Sequence, residues 1–207
     1  MLRSLVGSEM CIRDRYSRDR KTQTDIFTGV FAVEIPLQEF ERAAQRLKGV
    51  LHHTELDLSA TFSAMTGGNI YLKYENSQKT GSFKIRGASN KIAALVERGE
   101  TGAVVASSAG NHAQGVAYAA HRFGIPATIV MPKTAPIAKA KATEGYGATV
   151  VLAGDCYDDA YAKACEICEQ EHATFLHPYN DPEVIAGQGT LCLLYTSDAA
   201  DDKARVD

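Results

Sequence analysis

The chain has no tryptophan, 6 prolines and 8% aromatic residues in 207 positions, and no excess of either charge: 22 Lys and Arg stand against 25 Asp and Glu, a formal net charge of −3. That balance excludes a nucleic-acid binder working through a basic surface. With 45% hydrophobic residues, the composition is that of a soluble globular protein able to bury a core. No apolar run is long enough for a membrane span or a signal peptide, so a cytoplasmic protein with neither a membrane nor a nucleic-acid partner is expected. Cysteine is scarce. Of 5 in all, Cys11 and Cys192 lie near the ends, and the remaining Cys156, Cys165 and Cys168 are an odd set that argues against a disulfide framework and fits a reducing compartment. Cys165 and Cys168 have redox or metal spacing, but no second ligand pair exists and both lie in a helical pattern with Tyr157, Tyr161 and Ala164. Packing is the role expected of them, and no metal site is expected. No G-x-G-x-x-G follows a strand, Gly87-Ala88-Ser89 is not a Walker loop, and the longest glycine run is Gly67-Gly68.

Both ends read as foreign. Glu9 to Arg15 and Cys192 to Ser197 back-translate to reverse complements of each other, the pattern of a sequencing-library adapter read through at both borders of a short contig. Residues 1–32 are therefore an adapter-like or uncertain leader, and 192–207 an adapter-like tail. The early arginines and the closing aspartates lose their reading as a targeting leader and an acidic interaction tail.

Between the ends, hydrophobic periodicity alternates between strand and helix. Leu37, Phe40, Ala44 and Leu47 mark one face of a helix starting after Pro36, Asn69 to Glu75 reads as a strand, and Ile85, Ala88, Ile92 and Leu95 mark the next helix. Strands then follow at Ala103 to Ser108, Ala127 to Pro132, Ala148 to Ala153 and Thr174 to His177. Helices at Asn111 to Phe123, Ile137 to Gly145 and Tyr157 to Glu171 lie between them. Short strands between helices predict an α/β fold of parallel sheets with helices on both faces.

Two segments carry chemistry. Lys84 lies in Thr80-Gly81-Ser82-Phe83-Lys84-Ile85-Arg86-Gly87-Ala88, a Gly/Ser loop at the mouth of a helix. The helix end and the neighbouring Arg86 both disfavour the ammonium, a setting that activates an amine for attack on an aldehyde. Ser107-Ser108-Ala109-Gly110-Asn111-His112 joins a strand to a helix N-terminus and offers free N–H groups to an anion.

These segments, with Pro182-Glu183-Val184-Ile185-Ala186-Gly187-Gln188-Gly189-Thr190, resemble the fold type II (tryptophan-synthase-β-like) pyridoxal-phosphate enzymes, and most closely the threonine dehydratase and serine racemase branch. The resemblance runs from Val33 to about Leu191. It implies pyridoxal 5'-phosphate as cofactor, Lys84 as the Schiff-base lysine and catalytic proton carrier, Phe83 packed near the cofactor, and Asn111 on its 3′ oxygen. Ser108, Gly110, Asn111 and His112 would hold the carboxylate of an amino acid substrate. The implied reaction is dehydration and deamination of L-threonine and L-serine to a 2-oxo acid and ammonia.

Racemases of the branch tend to carry a serine where this chain has Ala109, which favours the dehydratase and leaves serine racemase as the alternative. A non-catalytic α/β ligand-binding module is a second alternative, with fold-level support alone. The implied domain plan places residues 33–103 in the first part of a large domain, 104–180 in a small open α/β domain and 181–191 at the start of the rest of the large one. The family's glycine-rich phosphate loop belongs downstream of Thr190 and is not found in the sequence. The chain is thus expected to be an inactive N-terminal fragment of an enzyme that, at full length, forms a homo-oligomer.

Overall fold

The computed structural model describes residues 34–203 and the side chains of residues 34–193. All of these but Glu34 belong to one compact unit, Ile35–Asp207.

A four-stranded parallel sheet forms its centre. The strands are β3 (Val104–Ser107), β4 (Ala127–Met131), β5 (Thr149–Leu152) and β6 (Thr174–Phe175), after an antiparallel pair, β1 (Leu56–Leu58) and β2 (Tyr71–Lys73). The spatial order is β5-β4-β3-β6. The helices are α1 (Leu37–Leu47), α2 (Ala60–Thr66), α3 (Lys84–Glu97), α4 (Asn111–Phe123), α5 (Ile137–Gly145), α6 (Tyr157–Gln170) and α7 (Pro182–Lys203). A 3-10 turn, Glu75–Ser77, precedes the lysine loop.

Strand periodicity explains the layers. Val104, Ala106, Ile129 and Met131 face one side, where they pack with Ala88, Ile92 and Leu95 of α3 and Ala113, Val116, Ala117 and Ala120 of α4. Val105 and Val130, one residue out of step, face the other and meet Ala160, Ala164 and Ile167 of α6. The sheet is therefore covered on both faces, as its near-continuous apolar strands require.

Chain order sets the position of the site. The crossovers through α4 and α5 step outward from β3 to β4 to β5, whereas the crossover through α6 returns the chain to the opposite edge, where β6 pairs with β3 at Val104–Thr174 and Val105–Phe175. The strand order reverses between β3 and β6. The loops leaving those two strands diverge there and open a crevice at the carboxyl end of the sheet.

Glycine contacts bring the helices around this crevice into close approach. A Cβ at Gly187 of α7 would lie 2.7 Å from the Arg86 carbonyl oxygen and the Gly87 Cα, so α3 and α7 touch backbone to backbone. A Cβ at Gly115 of α4 would stand 3.2 Å from the Lys84 carbonyl and the Ile85 nitrogen, which fixes the start of α3 against the first turns of α4. Asp181 caps α7 by accepting from the Glu183 and Val184 amides at 2.9 and 3.1 Å. Glu183 then pairs with Lys91 at 2.7 Å and with Arg98, tying α7 along the length of α3.

Three local expectations need correction. The stretch from Asn69 to Glu75 is a strand only at Tyr71–Lys73, and Glu75 begins the 3-10 turn. The β1–α2 excursion was not anticipated: β1 has three residues and α2 buries none, so neither shows an apolar period to read. In α1 the buried residues are Ala43 and Leu47, while Leu37 is 58% exposed.

Candidate active site

Lys84 is the first residue of α3, and its side chain reaches across the crevice to the far loop. There Nζ donates to the Pro178 carbonyl at 2.9 Å, just beyond β6. Nζ also lies 5.6 Å from the centroid of the Phe83 ring, which is 40% exposed beside it. Burial pushes the Lys84 amine below the ordinary lysine range.

Arg86 does not supply this shift. Its guanidinium turns away into a bidentate pair with Glu75, Nε to Oε2 at 2.8 Å and Nη2 to Oε1 at 2.7 Å, and its side chain is 3% exposed. Thr54 donates to the same carboxylate at 2.7 Å. Burial alone would raise the Glu75 carboxyl, but the hydrogen bonds from Arg86 and Thr54 and the guanidinium charge together hold it below the usual range. Arg86 is thus a neutralised structural cation that braces the turn before Lys84, and its Nη1 reaches Thr190 Oγ1 of α7 at 3.4 Å.

Close enough to Lys84 for His112 to sense its charge, the turn between β3 and α4 carries Ser108, Gly110 and Asn111. Ser108 Oγ accepts from the Gly110 amide at 3.2 Å, and Asn111 is exposed at the first helical position. The first N–H groups of α4 have no acceptor one turn back and point out of the helix end. Asn111 and the α4 end are therefore available to a ligand.

His112 is placed differently. Its ring is 3% exposed and donates through Nε2 to the Leu176 carbonyl at 3.1 Å, leaving Nδ1 buried without a partner. Burial, with the charges of Lys84 and His177, lowers its pKa to about 4 in spite of the Leu176 hydrogen bond. The imidazole ties α4 to the segment after β6, so its ring is engaged within the fold and only the backbone N–H of His112 is left at the helix end. Among the described residues no group of three His, Cys, Asp or Glu is placed to hold a metal ion, and no helix is long and apolar enough to cross a membrane.

Two contributors were missed by sequence reading. Pro178 enters through its carbonyl, which no side-chain pattern reveals. Gly115 has no side chain for a pattern to register, though its lack of a Cβ sets the distance between α4 and Lys84. The Pro182–Thr190 motif is built mainly into the α3–α7 contact, with the Gly87 amide donating to Gln188 Oε1 at 3.3 Å and Thr190 donating to the Gly187 carbonyl at 2.7 Å.

Comparison with known proteins agrees with this geometry. A family profile described as pyridoxal-phosphate dependent enzyme matches residues 48–195. L-threonine ammonia-lyase of Thermotoga maritima is 56% identical over 167 residues, 81% of this chain and 42% of that protein. The catabolic L-threonine dehydratase TdcB of Escherichia coli is 47% identical over 171 residues, 83% of this chain and 52% of that protein. Among solved structures, maize serine racemase superposes with a TM-score of 0.75 at 36% identity, covering 81% of this chain and 50% of that one. The chain thus spans about half the length of the curated relatives it matches.

The residues fit the aldehyde cofactor that the family's description names. The Lys84 amine is half-buried with a carbonyl and no carboxylate as its partner, so no counter-ion stabilises its charge. Thr80 Oγ1 and Ser82 Oγ, in the loop leading to it, are buried and without partners, as hydroxyls provided for a polar ligand would be. A depressed lysine at the reversal between β3 and β6, facing an open helix N-terminus, agrees with the match along most of the chain: the protein belongs to the family of pyridoxal-phosphate dependent enzymes.

Proposed function

We propose that this protein dehydrates and deaminates L-threonine, and L-serine, to the 2-oxo acid and ammonia. The carrying observation is the Lys84 amine, depressed by burial and held by the Pro178 carbonyl across the crevice from the α4 N-terminus. The substrate class is supported by relatives named threonine ammonia-lyase and threonine dehydratase at 56% and 47% identity.

When bound, pyridoxal phosphate supplies an electron sink for charge developing at the substrate's Cα. The other roles fall to the chain. Lys84 would hold the cofactor through its aldehyde and is the base placed to take the substrate's Cα proton at Nζ. The Pro178 carbonyl steadies the amine between these tasks. Asn111, exposed at the helix mouth, would hydrogen-bond the cofactor's 3′ oxygen, and Phe83 would pack near the cofactor. Ser108, Gly110 and Asn111 with the first N–H groups of α4, that of His112 among them, receive the substrate carboxylate and turn its Cα–H bond toward Lys84. Residues 33–103 with 181–191 would form one lobe and 104–180 the other, with the cofactor held between them, in a cytoplasmic homo-oligomer.

Lys84 is better suited to covalent chemistry than its neighbour Lys91. Burial would lower the Lys91 amine too, but hydrogen bonds to Glu183 and Asp181 at 2.7 and 2.9 Å raise it above the ordinary range and keep it charged. The serine racemase reading draws on the likeness to the maize enzyme, yet at the position of a second proton carrier this chain presents the methyl group of Ala109.

Borohydride reduction in the presence of pyridoxal phosphate, followed by peptide mapping, tests the assignment. The adduct is expected on Lys84. Labelling of Lys91 or Lys133 with Lys84 unmodified would overturn it.

A further inference from the structure

His177 is used by neither the fold's apolar layers nor the chemistry assigned above, and its surroundings are specific. It lies two residues beyond the end of β6, between Leu176, whose carbonyl receives His112, and Pro178, whose carbonyl receives Lys84. Its own ring folds back over the turn. Nδ1 accepts from the Tyr179 amide at 3.2 Å and from the Asn180 amide at 2.8 Å. Two amides on one ring nitrogen require that nitrogen to carry a lone pair, so the ring proton stands on Nε2. The arrangement is that of an Asx turn, with an imidazole nitrogen in place of a carboxamide oxygen.

The turn has one consequence for the site. Carbonyls and amides alternate along this stretch: the Leu176 and Pro178 carbonyls point to His112 and Lys84, while the next two amides are gathered by the His177 ring. Asp181 then caps α7. The direction of the Pro178 carbonyl therefore depends on where the following amides are held. We propose that His177 is a positioning residue for Lys84, its unprotonated Nδ1 fixing the turn that aims the Pro178 carbonyl at the lysine amine. Protonation of Nδ1 would release both amides and with them the carbonyl that holds Lys84. The inference rests on the reading of Lys84 as the cofactor lysine and adds a group that controls it.

Every element packed around His177 brings a group that bears on its proton. Tyr179 of the turn stacks edge-on at 4.7 Å between ring centroids, and Tyr161 of α6 lies at 6.4 Å with Phe175 at 6.2 Å. Tyr157 of α6 interacts with Tyr179, and its phenol is pushed up to about 12 by burial and by that neighbour, so Tyr157 is neutral at physiological pH. Asp181 at the cap of α7 favours a charged imidazole, whereas burial disfavours it and prevails, setting the His177 pKa below the ordinary value. His112 of α4 senses the charges of both His177 and Lys84 and is itself neutral. The tie is thus expected to be intact at neutral pH and to break in acid.

The test uses residues 1–207 and needs no turnover. Long-range 1H–15N correlation spectra of histidine-labelled protein should show the His177 proton on Nε2 at pH 7.5. A proton on Nδ1 would overturn the proposal whatever the variants do. Competitive labelling of Lys84 with acetic anhydride across pH, read by peptide mapping, then reports the amine directly. His177→Phe, which keeps the ring and removes the acceptor, should shift the Lys84 labelling profile and change its rate by about fivefold or more. His177→Asn, whose side-chain oxygen accepts from the same two amides, should recover the profile of the unaltered chain. Equal Lys84 profiles in all three proteins would overturn the proposal. If pyridoxal phosphate fails to mark Lys84 while the acetylation profiles still differ, the cofactor-lysine reading falls and the positioning role stands.

Discussion

Lys84 draws its reactivity from where it is held. Sequence reading attributed its lowered pKa to Arg86 and the helix end, but Arg86 is paired with Glu75, and burial is what disfavours the ammonium. The distinction was not legible because Glu75 meets Arg86 through a 3-10 turn whose geometry no periodicity announces. At Ala109 the residue itself was legible and its consequence is testable. In the full-length enzyme the methyl group would leave the second substrate face without a proton carrier, so Ala109→Ser in that enzyme is expected to raise the ratio of serine racemisation to deamination by about tenfold or more in chiral analysis of recovered serine. Racemisation rivalling deamination in the unaltered enzyme would assign that proton to another group. His112 gives a prediction in pH. In the fold it takes a proton only at about 4, whereas unfolded it does so near 6.5. Above 6.5 neither state is charged there, and His112 adds no pH dependence. Between those values the unfolded chain binds a proton that the fold refuses, so stability falls as the pH drops, by up to about 3 kcal/mol. Urea unfolding at pH 7.5, 6 and 5 should show that loss, and His112→Gln should flatten it.

At the scale of elements, sequence signals succeeded where one apolar stripe faces one partner. The helix Asn111–Phe123 lies where the period placed it, because alanines and a valine at helical spacing have the sheet to bury against, whereas Ile137–Gly145 also lies where expected but buries only Thr143 and leaves Ile137 73% exposed. They failed where an element is too short or too exposed to have a period, as in β1 and α2. The motif at Pro182–Thr190 was legible as a string of residues, but not as the α7 surface that lets Gly187 touch Gly87. The element most dependent on a polar contact is the turn before α3. Glu75 and Arg86 are both buried, so Glu75→Gln leaves a guanidinium without its countercharge in a dry site, at a cost of about 3–5 kcal/mol. Because the Glu75 carboxyl is held below its usual range, the pair stabilises fully above about pH 4.5 and is lost as pH falls through the folded value. Thermal unfolding at pH 7 measures the first effect. An unchanged midpoint in Glu75→Gln would mean that water reaches Arg86.

At the scale of the molecule, the sheet and the excursion before it differ in how well they are covered. The central strands β3 and β4 are packed on both faces, whereas Leu58, Phe62 and Met65 around β1 and α2 are 54%, 47% and 74% exposed. Each large apolar side chain left in water forgoes about 1.5–3 kcal/mol, against a whole-domain stability of about 5–15 kcal/mol. Limited proteolysis should therefore cut between residues 55 and 70 well before it cuts the sheet. Cofactor retention is a separate question. The relatives carry roughly as much chain again, and the crevice presents the α4 end, Asn111 and the Lys84 amine, but among the described residues no glycine-rich stretch to gather a phosphate. Residues 1–207 expressed alone are thus expected to form a trappable Lys84 adduct at millimolar pyridoxal phosphate, to lose the cofactor on gel filtration, and to turn over no threonine. Stoichiometric cofactor carried through the column together with measurable release of 2-oxo acid would show that the α4 end and the Thr80–Ser82 hydroxyls suffice to hold the phosphate as well.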